Sequence, residues 1–140
     1  MKVKDVMSSP VITVDQHDTL WHVLQVFRAN GFRHTIVTDL NDKALGMVSE
    51  TDLLRVVPLE PGEQLEAQRE ALEKLQAQDI MQAMVNFRPD DDLSSLVQVF
   101  LTDRLDMAQV VDEKRRPVGI VTITDVLRAL MKLLTEKEQE

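Results

Sequence analysis

The spacing of hydrophobic residues changes twice near the start of the chain. Val11 to Val14 form a short apolar and β-branched run, which predicts a strand. An amphipathic helix is then predicted by four apolar residues at i, i+3, i+4 and i+7: Leu20, Val23, Leu24 and Phe27. Asp18 or Thr19 would cap its start, and Asn30-Gly31 would close it, because glycine tolerates the left-handed conformation of a C-cap.

Two further strands and a second helix complete this pattern. Residues 35–38 and 44–49 are predicted strands, and the turn between them is rich in Asn and Asp. Residues 51–57 predict a helix that ends at Pro58, because proline lacks the N–H that a continuing helix needs. The first 57 residues therefore predict a β-α-β-β-α unit.

The second half of the chain repeats the first. Asp79-Ile80-Met81 matches Asp5-Val6-Met7 at an offset of 74 positions, and from Ile12 onward the offset is 73. The second copy predicts strands at 85–87, 108–111 and 117–121 and helices at 93–101 and 124–134. An internal repeat of this length indicates a duplicated unit. We therefore predict an α/β (α+β) fold of two β-α-β-β-α repeats, packed with pseudo-two-fold symmetry.

The stretch between the repeats differs in composition. Residues 63–78 are rich in Glu, Gln, Ala and Leu, and Glu70 and Lys74 stand at a favourable i, i+4 spacing. Its apolar stripe is narrow, which predicts a largely solvated helical spacer. We divide the chain into a first repeat at 1–57, a helical connector at 58–78, a second repeat at 79–134 and a polar tail at 135–140.

Some predicted helices are apolar around more than one face. Trp21 and Val26 lie outside the stripe of the first helix, and apolar residues cover most of the circumference of the closing helix. A helix that is apolar around most of its circumference buries more than one face. With only two repeats available, the second buried face is expected to belong to another copy of the chain. We therefore expect a homodimer formed through the repeat helices.

Composition and charge narrow the class of function. The chain of 140 residues has a net charge of −8, which argues against a nucleic-acid partner because phosphate backbones require a surplus of Lys and Arg. It has no cysteine, so disulfides and thiolate metal sites are excluded. No apolar run approaches the roughly 20 residues of a membrane span, and no apolar signal core follows the N-terminal lysines. We expect a cytoplasmic protein that is not attached to a membrane.

Two stretches with the same chemistry stand at the ends of the predicted third strands. They run from Gly46 to Leu54 and from Gly119 to Leu127. In each, a hydroxyl residue is followed three positions later by an aspartate: Ser49 with Asp52, and Thr122 with Asp125. The N–H groups at a helix N-terminus favour an anion such as phosphate. The hydroxyl adds a donor, and the carboxylate can accept hydrogen bonds from a ribose diol.

The same spacing also has a purely structural interpretation. Ser or Thr followed by an acidic residue three positions later is an ordinary capping box, and an aspartate in the first turn helps any helix. The two roles are compatible at one position. Two copies in register favour ligand contact over a cap alone.

The duplicated unit, with G-h-h-[S/T]-x-x-D at the end of each third strand, resembles the CBS domain (cystathionine-β-synthase domain). The tandem arrangement is similar to a Bateman module. The lead-ins Asp5-Val6-Met7 and Asp79-Ile80-Met81 support the resemblance, which covers nearly all of the chain except the connector and the tail. The resemblance implies a stand-alone CBS pair.

The resemblance also implies a set of ligand contacts. In CBS pairs the hydroxyl and aspartate positions, here Ser49, Asp52, Thr122 and Asp125, contact phosphate and ribose. The base lies against first-strand backbone, here Ile12-Thr13-Val14 and Val85-Asn86-Phe87. Many CBS domains carry a proline beside the base where this chain has Ile36 and Gln109. His34 could reach a phosphate, and a partly buried structural role fits it equally well.

These features predict a regulatory module without catalytic activity. The expected ligand is an adenine nucleotide or a related adenosyl compound such as S-adenosylmethionine, bound in the clefts between the repeats and signalling to a protein partner of unknown identity. No cofactor is required, and the three histidines do not share a metal-ligand spacing. The repeats differ at Arg33-His34 against Asp106-Met107, so we expect unequal clefts. The alternative is a dimeric interaction scaffold with vestigial clefts.

Overall fold

The computed structural model describes residues 1–9, 11–31, 33–57 and 65–139. In the first half of the chain the elements are β1 (Thr13–Asp15), α1 (Leu20–Asn30), β2 (His34–Thr38), β3 (Ala44–Ser49) and α2 (Glu50–Val56). The remaining elements are α3 (Leu65–Glu73), α4 (Ala77–Ile80), β4 (Asn86–Phe87), α5 (Leu93–Asp103), β5 (Met107–Val111), β6 (Pro117–Thr122) and α6 (Ile123–Glu138). The predicted β-α-β-β-α order is confirmed in both repeats.

The chain forms two compact units. The first-repeat unit comprises Ile12–Ala83, and the second-repeat unit joins Met1–Val11 to Met84–Glu140. The N-terminal segment therefore packs with the second repeat, whereas the end of the connector packs with the first. The sequence boundaries at 57 and 79 follow the internal repeat, while these units follow contacts in space.

Each unit contains a three-stranded sheet of the same topology. In the first-repeat unit β1 runs parallel to β2, and β2 runs antiparallel to β3. In the second-repeat unit β4, β5 and β6 are arranged in the same way. Helices cover one face of each sheet, because the core side chains of the strands pack with those of the helices. The first core contains Val14, Leu20, Val23, Phe27, Val37, Val48, Leu53, Leu72 and Ala77. The second contains Val3, Leu93, Leu96, Phe100, Ala108, Val110, Val121 and Ala129.

The third strand of each repeat pairs with the segment that precedes the first strand of the other repeat in the sequence. We call these two segments the lead-ins. Ser8 forms an antiparallel bridge with Ile120 of β6, with N···O distances of 2.9 and 3.1 Å. Gln82 forms the equivalent bridge with Met47 of β3, with both distances at 2.9 Å. The two lead-ins thus exchange places between the repeats.

The two glycines of the motif lie where these lead-ins pass. A Cβ at Gly46 would lie 2.6 Å from the carbonyl oxygen of Gln82. A Cβ at Gly119 would lie 2.6 Å from the sulfur of Met7. A side chain at Gly46 would therefore clash with backbone, whereas one at Gly119 would clash with the side chain of Met7.

The connector is less solvated than its composition indicates. The predicted helix over 63–78 is divided into α3 and α4, and the part before residue 65 lies outside the described residues. Leu72 of α3 is buried, and Arg69 lies over the ring of Trp21 at 5.1 Å. The chain's own connector therefore lies against Trp21, one of the residues from which the homodimer is predicted, and the dimer itself stays a prediction. The predicted Glu70–Lys74 pair is present at 3.8 Å.

Helix ends largely follow the predicted caps. Thr19 caps α1 by accepting a hydrogen bond from the His22 N–H, and Gly31 closes the helix at φ 68°. At the equivalent position after α5, Arg104 adopts φ 55°. The first strand begins at Thr13 rather than Val11, and the closing helix extends to Glu138 rather than Leu134. The end predicted for α2 at Pro58 lies outside the described residues.

Candidate functional site

The first junction, at the end of β3, forms a complete capping box. The Ser49 hydroxyl accepts a hydrogen bond from the Asp52 N–H at 3.1 Å, and the Asp52 carboxylate accepts one from the Ser49 N–H at 3.0 Å. Asp52 is buried although it carries a carboxylate. The structural role that the spacing predicts is therefore present.

A residue from the lead-in segment adds a further bond at this junction. The side-chain amide of Gln82 donates to Oδ1 of Asp52 at 2.7 Å, while Oδ2 of Asp52 receives the Ser49 N–H. Both carboxylate oxygens of Asp52 therefore have donors within the first-repeat unit. Among the described residues, Arg55 forms no ion pair with Asp52, whereas the equivalent Arg128 lies 3.5 Å from Asp125.

The second junction, at the end of β6, has the same capping box with different partners. The Thr122 N–H and hydroxyl both donate to Oδ2 of Asp125, at 2.8 and 3.0 Å. Within the described ranges, its Oδ1 pairs with the guanidinium of Arg128 at 3.5 Å, and the Arg128 side chain is 77% exposed. The residue equivalent to Gln82 in this unit is Ser8, which has a short hydroxyl side chain and no amide. Among the described residues, Oδ1 of Asp125 therefore lacks the amide donor that Oδ1 of Asp52 has.

The other predicted contacts of the first-repeat unit cluster on β1 and β2. Thr13 pairs with Ile36 in register, and His34 pairs with Ser49 across β2 and β3. Ile12 is 45% exposed, but its carbonyl accepts a hydrogen bond from the Thr35 hydroxyl at 2.9 Å. Val14 belongs to the core cluster instead, so its side chain serves packing. His34 is half-buried beside the junction.

The equivalent strands of the second-repeat unit carry more polar groups. Val85, Asn86 and Phe87 lie on and beside β4, and Asn86 pairs with Gln109 of β5. Ala108 and Val110 point into the core, so Gln109 lies on the opposite face of the sheet, because side chains alternate along a strand. Where the first repeat has Thr35, the second has Ala108, so the Val85 carbonyl receives no equivalent hydroxyl.

Gln109 is the most unusual of these residues. It is 2% exposed, and its amide nitrogen donates to Oδ1 of Asn86. No donor among the described residues reaches its amide oxygen. A buried acceptor without a partner costs free energy, typically about 1–3 kcal/mol. The position is therefore one where a ligand hydrogen-bond donor would be stabilising.

A cavity of about 280 Å³ lies elsewhere, on the helical side of the first-repeat unit. It contains none of the predicted site residues. Its lining is formed by α1, α2 and nearby residues: Leu24, Phe27, Arg28, Gly31, Arg33, Glu50, Leu53, Leu54, Val57 and Leu72.

Other kinds of site find no support in the described part of the chain. Its His, Asp and Glu residues form no group of three or more suited to a metal ion. Its helices include none long and apolar enough to cross a membrane. His17 and His22 are exposed, and each lies near a polar neighbour rather than the other histidine.

Sequence reasoning did not find Gln82. Its partner Asp52 is 30 positions away, and their contact depends on the lead-in crossing β3. The available signal was its place directly after Asp79-Ile80-Met81, where the first copy has Ser8 after Asp5-Val6-Met7. A comparison of the two lead-ins would have shown this difference.

The fold and the paired junctions define a duplicated α/β module in which a capped helix follows each third strand. The family model of the CBS domain matches residues 3–59 and 77–132. The chain therefore belongs to the CBS domain family, as a tandem pair.

Similar proteins agree with this assignment. The CBS domain of a CBS domain-containing membrane protein from Sphaerobacter thermophilus has a TM-score of 0.83 and 27% identity, covering 91% of this chain and 86% of that one. Uncharacterized protein MJ1426 of Methanocaldococcus jannaschii is 23% identical over 155 residues, 94% of this chain and 92% of the relative. The crystal structure of CBSX2 in complex with AMP has a TM-score of 0.76 at 22% identity, covering 94% and 97% of the two chains, which shows a shared fold.

Proposed function

We propose that this chain is a regulatory module that binds an adenine nucleotide or a related adenosyl ligand and signals to a protein partner. CBS domains generally serve as regulatory rather than catalytic modules, and a structural relative was crystallised with AMP. The observation that carries the proposal is the unpartnered amide oxygen of Gln109. It stands next to Asn86, at a position where the resemblance implies a base.

The amino group of adenine supplies the donor that this oxygen lacks. A single amide–amino hydrogen bond would satisfy the buried acceptor and so favour adenine over a base with an oxo group at that position. The Asn86 side chain, bonded to the other end of the amide, would hold Gln109 in this orientation.

The second junction offers the groups that the rest of a nucleotide needs. The positive end of the α6 dipole favours phosphate. The Thr122 hydroxyl, which donates to Oδ2 of Asp125 at 3.0 Å, would turn from this carboxylate to donate to the phosphate. The Asp125 carboxylate, whose Oδ1 lies 3.5 Å from an exposed arginine, can accept hydrogen bonds from a ribose diol. Ligand binding would then stabilise one conformation of the pair over another, which is how a binding module signals.

Thermal unfolding in the presence of ligands tests this function. AMP, ADP, ATP, S-adenosylmethionine, NADH and cyclic dinucleotides are added to the wild type and to Asp52→Ala and Asp125→Ala. A ligand at about 100 times its dissociation constant stabilises by roughly 2.7 kcal/mol, which is several degrees for a chain of this size. No shift with any of these ligands would refute the proposal.

The base contact has its own control. We expect AMP to bind more tightly than inosine monophosphate, which has an oxo group in place of the amino group. Gln109→Leu keeps the approximate volume but removes the acceptor, and it should reduce this preference to near unity. Equal binding of both nucleotides by the wild type would refute the role of Gln109.

The proposal includes a homodimer formed through the repeat helices. Helix α6 leaves a series of large apolar side chains between 42% and 67% exposed: Ile123, Leu127, Leu130, Met131, Leu133 and Leu134. Such a contiguous apolar surface marks an interaction site in a soluble protein. Light scattering in dilute solution would measure twice the mass of 16.0 kDa, and a monomeric mass would contradict the dimer.

A dimeric scaffold that binds no ligand is the second candidate. It is favoured by the first junction, where both carboxylate oxygens of Asp52 are already bonded within the unit. In that case the ligands above would leave the unfolding temperature unchanged while the dimer persists.

A further inference from the structure

We propose that Gln82 is a latch on Asp52, and that it makes the two junctions unequal by occupying one ribose-binding carboxylate and leaving the other available. This inference rests on the proposed function, because it assigns the contacts of that same ligand. It concerns a residue outside the CBS motif, at the end of the connector.

The latch follows from the bonds to the two carboxylates. Oδ1 of Asp52 receives the Gln82 amide at 2.7 Å, within good hydrogen-bonding range. In the described part of the chain, Oδ1 of Asp125 has only the guanidinium of Arg128 at 3.5 Å, which is a weak contact from an exposed side chain. A ribose hydroxyl must therefore compete with Gln82 for Oδ1 at the first junction, whereas at the second it meets no equivalent amide donor among the described residues.

The position of Gln82 explains how it reaches Asp52 and how it can leave. Its backbone is held by two hydrogen bonds to Met47 of β3, which directs the side chain along the strand toward the junction. Gln82 itself is exposed, whereas Asp52 is buried. The side chain can therefore move into solvent without disturbing the bridge.

The chain contains its own matched control at Ser8. Ser8 forms the equivalent bridge with Ile120 and is also exposed, but its side chain ends one atom beyond Cβ. Exchanging the residues at these two positions should therefore transfer the latch from one junction to the other.

Calorimetric titration with AMP tests the latch. We expect the main AMP site of the wild type to be lost in Asp125→Ala and retained in Asp52→Ala. Gln82→Ser removes the latch, and Gln82→Met removes the amide while keeping its length. Both should tighten the site that depends on Asp52 by about three- to tenfold, the range of one displaced hydrogen bond. Ser8→Gln should weaken the site that depends on Asp125 by a similar factor, whereas Ser8→Met should not.

A purely structural role for Gln82 predicts the opposite pattern. Loss of a stabilising hydrogen bond alone lowers the unfolding temperature and leaves AMP affinity unchanged or weaker. The latch is supported if Gln82→Ser lowers the unfolding temperature of the free protein and yet tightens binding. If AMP binds the wild type but its affinity is unchanged in both Gln82 variants, the latch is refuted and the proposed function stands. If AMP binds no variant, both proposals fail for this nucleotide.

Discussion

Gly46→Ala should destabilise the chain more than Gly119→Ala, although both glycines occupy the same position of the repeat. A Cβ at Gly46 would lie 2.6 Å from a backbone atom, the carbonyl oxygen of Gln82. A Cβ at Gly119 would meet the sulfur of Met7 at the same distance, with its Cγ and Cβ at 3.0 and 3.2 Å. Because the two substitutions add the same methyl group, their costs differ only through the neighbouring atoms that have to move.

The magnitude follows from the bonds that each neighbour makes. The Gln82 carbonyl accepts the Met47 N–H, and the Gln82 N–H donates back, both at 2.9 Å. Moving this segment weakens both hydrogen bonds, at about 1 kcal/mol each, so we expect a loss of about 2 kcal/mol. Met7 can change its rotamer because it is flexible, so we expect about 1 kcal/mol or less for Gly119→Ala.

Urea unfolding of the wild type and both variants measures this difference in free energy, and thermal unfolding measures the corresponding difference in unfolding temperature. At roughly 2–4 °C per kcal/mol for a chain near this size, Gly46→Ala should lower the unfolding temperature by about 4–8 °C. Met7→Ala combined with Gly119→Ala should show less than the sum of the two single effects, because the clash is removed. Equal costs for the two alanine variants, or a larger cost at Gly119, would refute the argument from backbone contact.

Two other predictions concern the helix end after α5 and the N-terminal segment. Arg104 has φ 55° where the first repeat has Gly31 at φ 68°. Arg104→Gly should therefore increase the free energy of unfolding in urea by about 1 kcal/mol, and Gly31→Arg should decrease it. A destabilising Arg104→Gly would contradict this. Lys2 and Lys4 pair with Asp92 and Asp90, each at 2.8 Å, and the lysine hydrogen bonds lower the pKa of both aspartates below 3.8. This contribution is present above the usual aspartate pKa and is lost as the pH falls through the lowered values. The Asp partners likewise raise the pKa of both lysines above 10.5, so on the alkaline side the contribution is lost only above that value. The NMR shift of the Val3 amide, which donates to the Asp91 carbonyl, should therefore be constant from about pH 5 to 9 and change in acid, and a change near neutral pH would contradict the assignment.

The secondary structure could be predicted from the sequence because its signals are local. The apolar spacing from Leu20 to Phe27, the cap at Thr19 and the closing glycine at Gly31 each act within one or two turns of the helix. The capping boxes at Ser49 and Thr122 are local in the same way. The internal repeat then indicated that both units have the same order of elements.

The exchange of the lead-in segments could not be predicted in this way. The repeat places Asp5-Val6-Met7 before the first unit, yet Val3 is buried in the core of the second, and Ser8 pairs with Ile120. A sequence repeat shows which segments are equivalent but not which copy each segment joins. The burial of Leu72 could not be predicted for a similar reason. It depends on where α3 packs, and a narrow apolar stripe does not specify which surface the helix packs against.

The two junctions show why a duplicated motif does not guarantee a duplicated site. Within the motif the two aspartates are equivalent: each is buried, and each accepts the backbone N–H of its own cap residue. They differ through a residue outside the motif, since the lead-in supplies Gln82 to Asp52 and only Ser8 near Asp125. Under the proposed function Gln82 competes with a ligand for Asp52, and Gln82 lies 30 positions away in the sequence. Comparing lead-in residues together with the motif would therefore distinguish occupied from available carboxylates in a CBS pair.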